Sequence, residues 1–336
     1  MLGVGRSAHP RRGRVCVVGR YIVRRILISI PTVLGITVVV FLLSNMIPGD
    51  PIDYMIPPEG GIAPETLERL RQAYGLDQPL PVRYAAWLKQ ALTGNLGYRF
   101  KTHEPVLWAI ANRFPPTLLL VGTSLVIGTV VGIPLGMMAA VRQYSLLDQL
   151  MSVIAFLGVS LPAFFAGLLA IYFFSVKWPL FPSGGWQPTG AVGFHFLDLV
   201  RHLVLPATVL ALIHIATILR YTRSSLLEVL EKEYVMTARA KGLAERYVIV
   251  RHALKNALLP IITVIGLIMP TVIGGAVFTE SIFSWPGMGT LFVDAVVSRD
   301  YPLIMGMTLI IAIAVLLINL AVDIAYGFVN PRIRYE

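Results

Sequence analysis

Six stretches without a charged residue, each close to the thickness of a bilayer core, constrain this chain more than any other feature. They run over 26–49, 114–141, 149–176, 203–219, 256–279 and 301–322. A helix that crosses the hydrocarbon needs roughly 20 apolar residues, and only helices and closed barrels satisfy their backbone there. Of the 336 residues, 56% are hydrophobic and 14% charged, against about 25% charged in a soluble domain. A chain this apolar needs a non-aqueous solvent, and the pattern predicts six transmembrane helices. A seventh charge-free stretch, 178–197, holds Pro179, Pro182, Pro188, Gly184, Gly185, Gly190 and Gly193. Those residues break helices, so it reads as a loop outside the membrane.

The first apolar run is too long for a cleaved signal peptide, and no small-residue cleavage site follows it. Arg6, Arg11, Arg12, Arg14, Arg20, Arg24 and Arg25 precede it, which predicts a cytoplasmic N-terminus by the positive-inside rule. Six spans then bring the C-terminus back to the cytoplasm. The other loops agree. The stretch 220–256 carries Arg220, Arg223, Lys232, Arg239, Lys241, Arg246, Arg251 and Lys255, and Arg142, Arg332 and Arg334 fall on the same side. The opposite side has Lys177, Arg201 and Arg299, plus a long segment, 48–113, with seven basic and seven acidic residues. The net charge of +10 therefore reads as membrane topology, and no nucleic acid is required. The segment 48–113 is the one candidate soluble subdomain. It is predicted to hold a helix over 64–74, capped by Gly75, and another over 84–92.

Several chemistries are excluded. The chain has no G-x-x-x-x-G-K-[ST] phosphate loop, no H-E-x-x-H and no G-x-S-x-G. Gly158-Val159-Ser160-Leu161-Pro162 lacks the second glycine and reads as a proline-kinked helix. No His or Cys pair has metal-ligand spacing, and the single Cys16 forms no internal disulfide. Ion-coupled carriers bury ionisable groups at mid-membrane. Here Glu280 and Asp323 lie near span ends, and only His214 sits well inside one. His214 is read as a polar helix contact in preference to a proton relay. The fifth span carries Gly266, Pro270, Gly274 and Gly275. These residues suit close helix packing, or a bendable helix lining a gate.

The most informative polar segment is Glu233-Tyr234-Val235-Met236-Thr237-Ala238-Arg239-Ala240-Lys241-Gly242-Leu243, followed by a basic stretch that reaches the membrane at Pro260. It reads as a short helix stopped by Gly242 and then a second helix. Ala238, Ala240 and Gly242 would let another protein approach closely. A solvated basic face near anionic lipid is the alternative.

This segment resembles the EAA signature of ABC importer permeases. Met236-Thr237-Ala238 stands where the triplet falls, so the glutamate and first alanine are replaced, and Gly242 matches the glycine. Tyr21-Ile22-Val23-Arg24-Arg25, Pro48-Gly49-Asp50-Pro51 and Tyr74-Gly75-Leu76-Asp77-Gln78-Pro79-Leu80-Pro81 with Gly94-Asn95-Leu96-Gly97 carry the resemblance further. So do Glu280 through Gly289, Arg299-Asp300-Tyr301-Pro302, and Asn330-Pro331-Arg332-Ile333-Arg334-Tyr335. Together, from Gly19 to Glu336, they are similar to the DppB/OppB type of dipeptide and oligopeptide permease, a pattern shared with nickel and glutathione permeases.

The resemblance implies an all-α integral membrane protein with the six-helix fold of ABC type I importer permeases and a small extracytoplasmic subdomain between helices 1 and 2. It implies a second homologous permease, two ATPase domains that bind ATP and magnesium, and an extracytoplasmic solute-binding protein. No cofactor or catalytic residue is expected in this chain. Glu233, Tyr234, Thr237, Ala238, Arg239, Ala240, Lys241 and Gly242 would contact the ATPases, and Phe181 and Trp186 the binding protein. The expected layout is an unstructured cytoplasmic extension over 1–20, a first span over 21–47, and the subdomain over 48–113. A core over 114–336 follows, with spans near 114–141, 149–176, 203–219, 257–281 and 302–326 and the coupling loop at 220–256.

Overall fold

The computed structural model describes residues 11–46, 64–73, 75–188, 193, 195–274 and 276–329. The described residues form thirteen helices: α1 (Arg11–Met46), α2 (Pro64–Ala73), α3 (Leu80–Leu92), α4 (Val106–Val141), α5 (Leu146–Ser160), α6 (Ala163–Ile171), α7 (Phe196–Leu230), α8 (Glu233–Ala240), α9 (Glu245–Tyr247), α10 (Lys255–Gly274), α11 (Val277–Ile282), α12 (Met288–Val297) and α13 (Tyr301–Val329). Wider π turns continue α6 over Tyr172–Lys177 and join α9 to α10 over Val248–Leu254. Five helices are long and apolar enough to cross a membrane: Leu27–Met46, Val106–Val141, Phe196–Leu230, Glu245–Pro270 and Tyr301–Asp323.

A sixth apolar element is a bent helix pair, the shape of a broken span or a re-entrant loop. The expected helix over 149–176 is instead Leu146–Ser160 and Ala163–Lys177, bent by 99°. Pro162 explains the break. It has no N–H to continue the ladder, and it forces Leu161 into extended backbone, with φ −77° and ψ 122°. Other boundaries also move. The first helix starts at Arg11, inside the stretch expected to be unstructured, because no proline falls between Arg11 and Ile30 and arginine favours helix. The span expected over 257–281 ends at Gly274, and Glu280 belongs to the separate helix α11. Helix α7 runs on to Leu230, so the first third of the expected loop 220–256 is helical.

Between the first span and α4, the described residues hold the two helices expected there, α2 and α3. Gly75 adopts φ +64°, and its N–H bonds Gln72 O at 3.0 Å. Helix α3 begins four residues earlier than its apolar pattern suggested, because prolines suit a first helical turn. Tyr84 packs edge-on against Phe41 of α1, with its hydroxyl 2.9 Å from Thr37 Oγ1.

The core is built on α4 against α7. Gly128, Gly132 and Gly136 form one stripe on α4, facing His214, Ile218 and Thr222 of α7. A Cβ on Gly136 would fall 2.6 Å from Leu219 O, so the two backbones touch where glycine alone permits it. His214 lies in this seam with Nδ1 3.4 Å from Ser124 Oγ. That is the polar helix contact expected of it.

Ion pairs fix the two ends of the bundle. At one end Asp148, almost fully buried, receives a two-pronged bond from Arg223: Nε to Oδ1 at 2.6 Å and Nη2 to Oδ2 at 2.7 Å. Arg25 and Asp323 pair at 3.0 Å between α1 and α13. At the other end Arg99, 7% exposed, bonds Asp300 at 3.3 Å and Asp294 at 2.7 Å. Burial pushes the Asp300 carboxyl above its ordinary value, opposed by the Phe100 N–H and by Arg99.

Candidate functional site

Two polar constructions stand out at opposite ends of the bundle. The first is the helix–glycine–helix segment after α7. Lys241 N bonds Thr237 O at 3.1 Å, and Gly242 N bonds Arg239 O at 2.9 Å, closing the last turn of α8. Gly242 then takes φ +75°, the left-handed conformation of a helix stop. Val235 and Ala238 turn inward and pack with Val248 under Val229 and Leu230. Ala238 is thus part of a small core, while Ala240 and Gly242 stay exposed. Arg239 clamps α8 to α9 across the glycine, with Nη2 2.7 Å and Nε 3.2 Å from the Glu245 carboxylate. Asn256 Nδ2 donates to Tyr234 Oη at 2.9 Å and ties α8 to the start of α10.

The outer side of this segment is apolar as well as charged. Met236 is 54% exposed and Tyr247 50%, and Glu233, Thr237, Lys241 and Leu243 are exposed beside them. The arrangement is a rigid, self-supported knob. Its interior is closed by valines and its two arms are stapled by side-chain bonds. A surface partner would meet Met236, Ala240, Gly242 and Leu243 with charges at the rim. Ala238, expected on that surface, is buried in the small core, while Tyr234 stays partly exposed and also ties α8 to α10.

The second construction is Glu280, which has no exposed surface. Its carboxylate accepts from Thr117 Oγ1 at 2.8 Å, Thr290 N at 3.0 Å and Ala276 N at 3.3 Å. Thr117 Oγ1 in turn accepts from Met288 N at 2.7 Å. Trp285, also fully buried, donates from Nε1 to Pro116 O at 2.9 Å. Gly287 and Gly289 press against the carboxylate, leaving no room for a Cβ. One acid therefore joins α4, α11 and α12, at the start of α12 where negative charge is favoured. Glu280 through Gly289 carried part of the sequence resemblance, but its partner Thr117 lies 163 residues away and had no local signal.

Of the other expected residues, Phe181 borders the second construction and the rest lie elsewhere. Phe181 packs among Leu205, Val209 and Phe283, and the adjacent Gly185 N bonds Phe283 O at 2.8 Å. Trp186 is 38% exposed. Gly266 is pressed against Val322 of α13, Pro270 is half-buried and Gly274 is the last residue of α10. Gly275 lies outside the described residues.

Among the described residues, a helical bundle with five long apolar helices and a sixth bent apolar pair, carrying a stapled knob at one end, is the architecture of a multi-pass membrane protein. The comparisons narrow that class. Residues 132–335 match the family described as binding-protein-dependent transport system inner membrane component, and residues 18–121 match the N-terminal part of such membrane components. The oligopeptide transport system permease protein AppB of Bacillus subtilis is 44% identical over 94% of this chain and 99% of its own. The dipeptide transport system permease protein DppB of Escherichia coli is 42% identical over the same shares. The glutathione transport system permease protein GsiC of Escherichia coli is 40% identical, again over 94% and 99%. Among solved structures, the MetNI methionine ABC transporter superposes with a TM-score of 0.52 at 19% identity, covering 67% of this chain and 97% of that one. At that identity the likeness concerns the fold.

The chain belongs to the binding-protein-dependent transport system inner membrane component family. It is a DppB/OppB-type permease subunit of an ABC importer, with the type I importer fold, and a multi-pass protein of the bacterial inner membrane.

Proposed function

We propose that this subunit forms, with a second homologous permease, the path for peptides or peptide-like solutes. An extracytoplasmic binding protein delivers the solute, and two partner ATPase domains, which bind ATP and magnesium, drive the cycle. The observation that carries the cargo class is the relatives matched along 94% of the chain, named for dipeptides, oligopeptides and glutathione. Nickel or haem is the competing cargo. The permease alone should hydrolyse no ATP. In vesicles holding the whole transporter and binding protein, a radiolabelled dipeptide or short oligopeptide should accumulate only with ATP inside the compartment that bears the ATPases. Uptake driven by a proton or sodium gradient without ATP would move the protein to the secondary carriers. Uptake of nickel with no peptide transport would replace the cargo.

The knob is proposed to face the cytoplasm and dock the ATPases, and the end bearing α2 and α3 to face outward. The arginine excess on the knob side supports this. Single cysteines at Gln72 and Glu245, in a chain whose Cys16 is replaced, should react with an impermeant maleimide from opposite sides. Labelling of both from one side defeats the orientation.

Trp186, exposed beside the Gly185–Phe283 tie, is proposed as a binding-protein contact; Phe181 is anchored in the core and serves as the loop's foot. Trp186→Ala should cut binding-protein stimulation of ATP turnover by roughly 5- to 30-fold at limiting binding protein, the range of an aromatic interface anchor. Unchanged stimulation assigns the loop to covering helix ends.

A further inference from the structure

An open cleft of about 370 Å³ lies where the end of α4 meets the turn that leads into α10. Its wall is apolar: Met137, Met138 and Val141 come from α4, and Ile249 and Val250 from the facing π turn. Met138 is 47% exposed, Val141 44% and Val250 57%, so this wall is uncovered in the chain alone. Two cations, Arg142 and Arg246, stand at its rim. Arg142 directly follows the apolar span Val106–Val141, and Arg246 opens the span Glu245–Pro270. The end of the long apolar helix α4 and the turn that leads into α10 therefore lie side by side, with an apolar wall between them and two guanidinium groups lining the same cleft. Among the described residues, the neighbouring arginines Arg223 and Arg239 are committed to Asp148 and Glu245. Arg142 and Arg246 make no ion pair or side-chain hydrogen bond there.

We infer that this cleft is a binding site for one anionic phospholipid, with an acyl chain along Met138, Val141 and Val250 and the headgroup phosphate held between Arg142 and Arg246. The charge complementarity selects the headgroup. A phosphodiester suits two guanidinium forks, and basic pockets between membrane helices take anionic lipids. Continuity of the apolar wall with the apolar helix α4 selects a lipid over a soluble phosphate. Such a lipid would bridge α4 to the turn behind Gly242, joining the bundle to the knob. The inference rests on the membrane-permease reading, but not on which face of the membrane the knob occupies.

The test uses the whole transporter, reconstituted in phosphatidylcholine alone or in equal parts with phosphatidylglycerol, then extracted in mild detergent. Lipid retained by the permease is counted by native mass spectrometry. The wild type should keep one phosphatidylglycerol in preference to phosphatidylcholine. At about fivefold per cation, the double variant Arg142→Gln/Arg246→Gln should lose roughly 30-fold in that preference, and Arg142→Lys/Arg246→Lys should retain most of it. Val141→Trp, which fills the wall with both arginines intact, should also expel the lipid. No preference in the wild type, or full retention in the double glutamine variant, overturns the site. Displacement by glycerol 3-phosphate as readily as by phosphatidylglycerol overturns the lipid and leaves a phosphate site. Cysteine labelling at Glu245 in the same vesicles reads the orientation separately, so its failure is distinguishable from failure of the lipid site.

Discussion

Glu280→Ala should remove most of the folded protein from the membrane. The carboxylate is fully buried and accepts from Thr117, Thr290 and Ala276. Truncation leaves one hydroxyl and two backbone N–H groups without an acceptor, each worth about 1–3 kcal/mol when buried. It also opens a cavity beneath Gly287 and Gly289. A total near 4 kcal/mol is a large share of the stability of an ordinary domain. The expected result is a thermal midpoint in detergent far below wild type, with loss of the monodisperse peak in size exclusion. Glu280→Gln keeps the volume and one acceptor but turns an NH₂ toward one of the donors, and should cost about half as much. Gly287→Ala should cost about as much as Glu280→Gln, since its Cβ would overlap the carboxylate and overpacking costs about 1–3 kcal/mol. A Glu280→Ala protein with an unchanged midpoint would mean that α11 and α12 are held by packing around Trp285 and Phe283 alone.

The contrast between Glu280 and the spans shows what a sequence displays and what it hides. Charge-free length fixes how many helices cross, because the bilayer imposes one length on all of them, and arginine placement predicts which loops share a side. Both signals are additive along the chain. Partnerships between distant residues are not: Arg99 with Asp300, Arg223 with Asp148 and Thr117 with Glu280 are joined only when helices pack. In sequence each acid lay at the edge of an apolar run and looked like an ordinary span boundary. The glycine stripe at 128, 132 and 136 is legible as a four-residue repeat, whereas nothing local in the sequence pairs Gly266 of α10 with Val322. The sequence predicts a kink at Pro162, and the structure has a 99° break there. Proline chemistry predicts that the ladder is interrupted; the angle depends on what the two halves pack against, and α6 leans on α7 and α11 while α5 stays on α4 and α7.

The segment around Gly242 is less legible in sequence, because its proposed role depends on a partner. Gly242→Leu should leave the permease inserted and folded but uncouple transport from ATP hydrolysis. Two explanations of the glycine make different demands. As a helix stop it needs only the left-handed conformation, seen here as φ +75°, and a branched residue there costs about 1–2 kcal/mol. As a docking contact it needs the absence of a side chain. Within the chain itself a Cβ on Gly242 meets no atom inside 4 Å, so no intramolecular contact forbids one. The Val235–Ala238–Val248 core and the Arg239–Glu245 clamp hold the knob in shape without it. Intolerance of a Cβ at Gly242 beyond the cost of the left-handed conformation would then point to a molecule seated on the exposed face beside Met236 and Ala240. A lost contact at the centre of such an interface is worth about 2 kcal/mol, or roughly 30-fold in retention of the ATPases. Gly242→Leu complexes should either lose their ATPases on purification or hydrolyse ATP without import. Gly242→Asn separates the explanations, because asparagine tolerates the left-handed conformation and still adds bulk. If Gly242→Asn assembles but fails to couple, the partner contact stands. If it transports as wild type does, the glycine is there to stop α8, and the docking surface lies elsewhere on the knob.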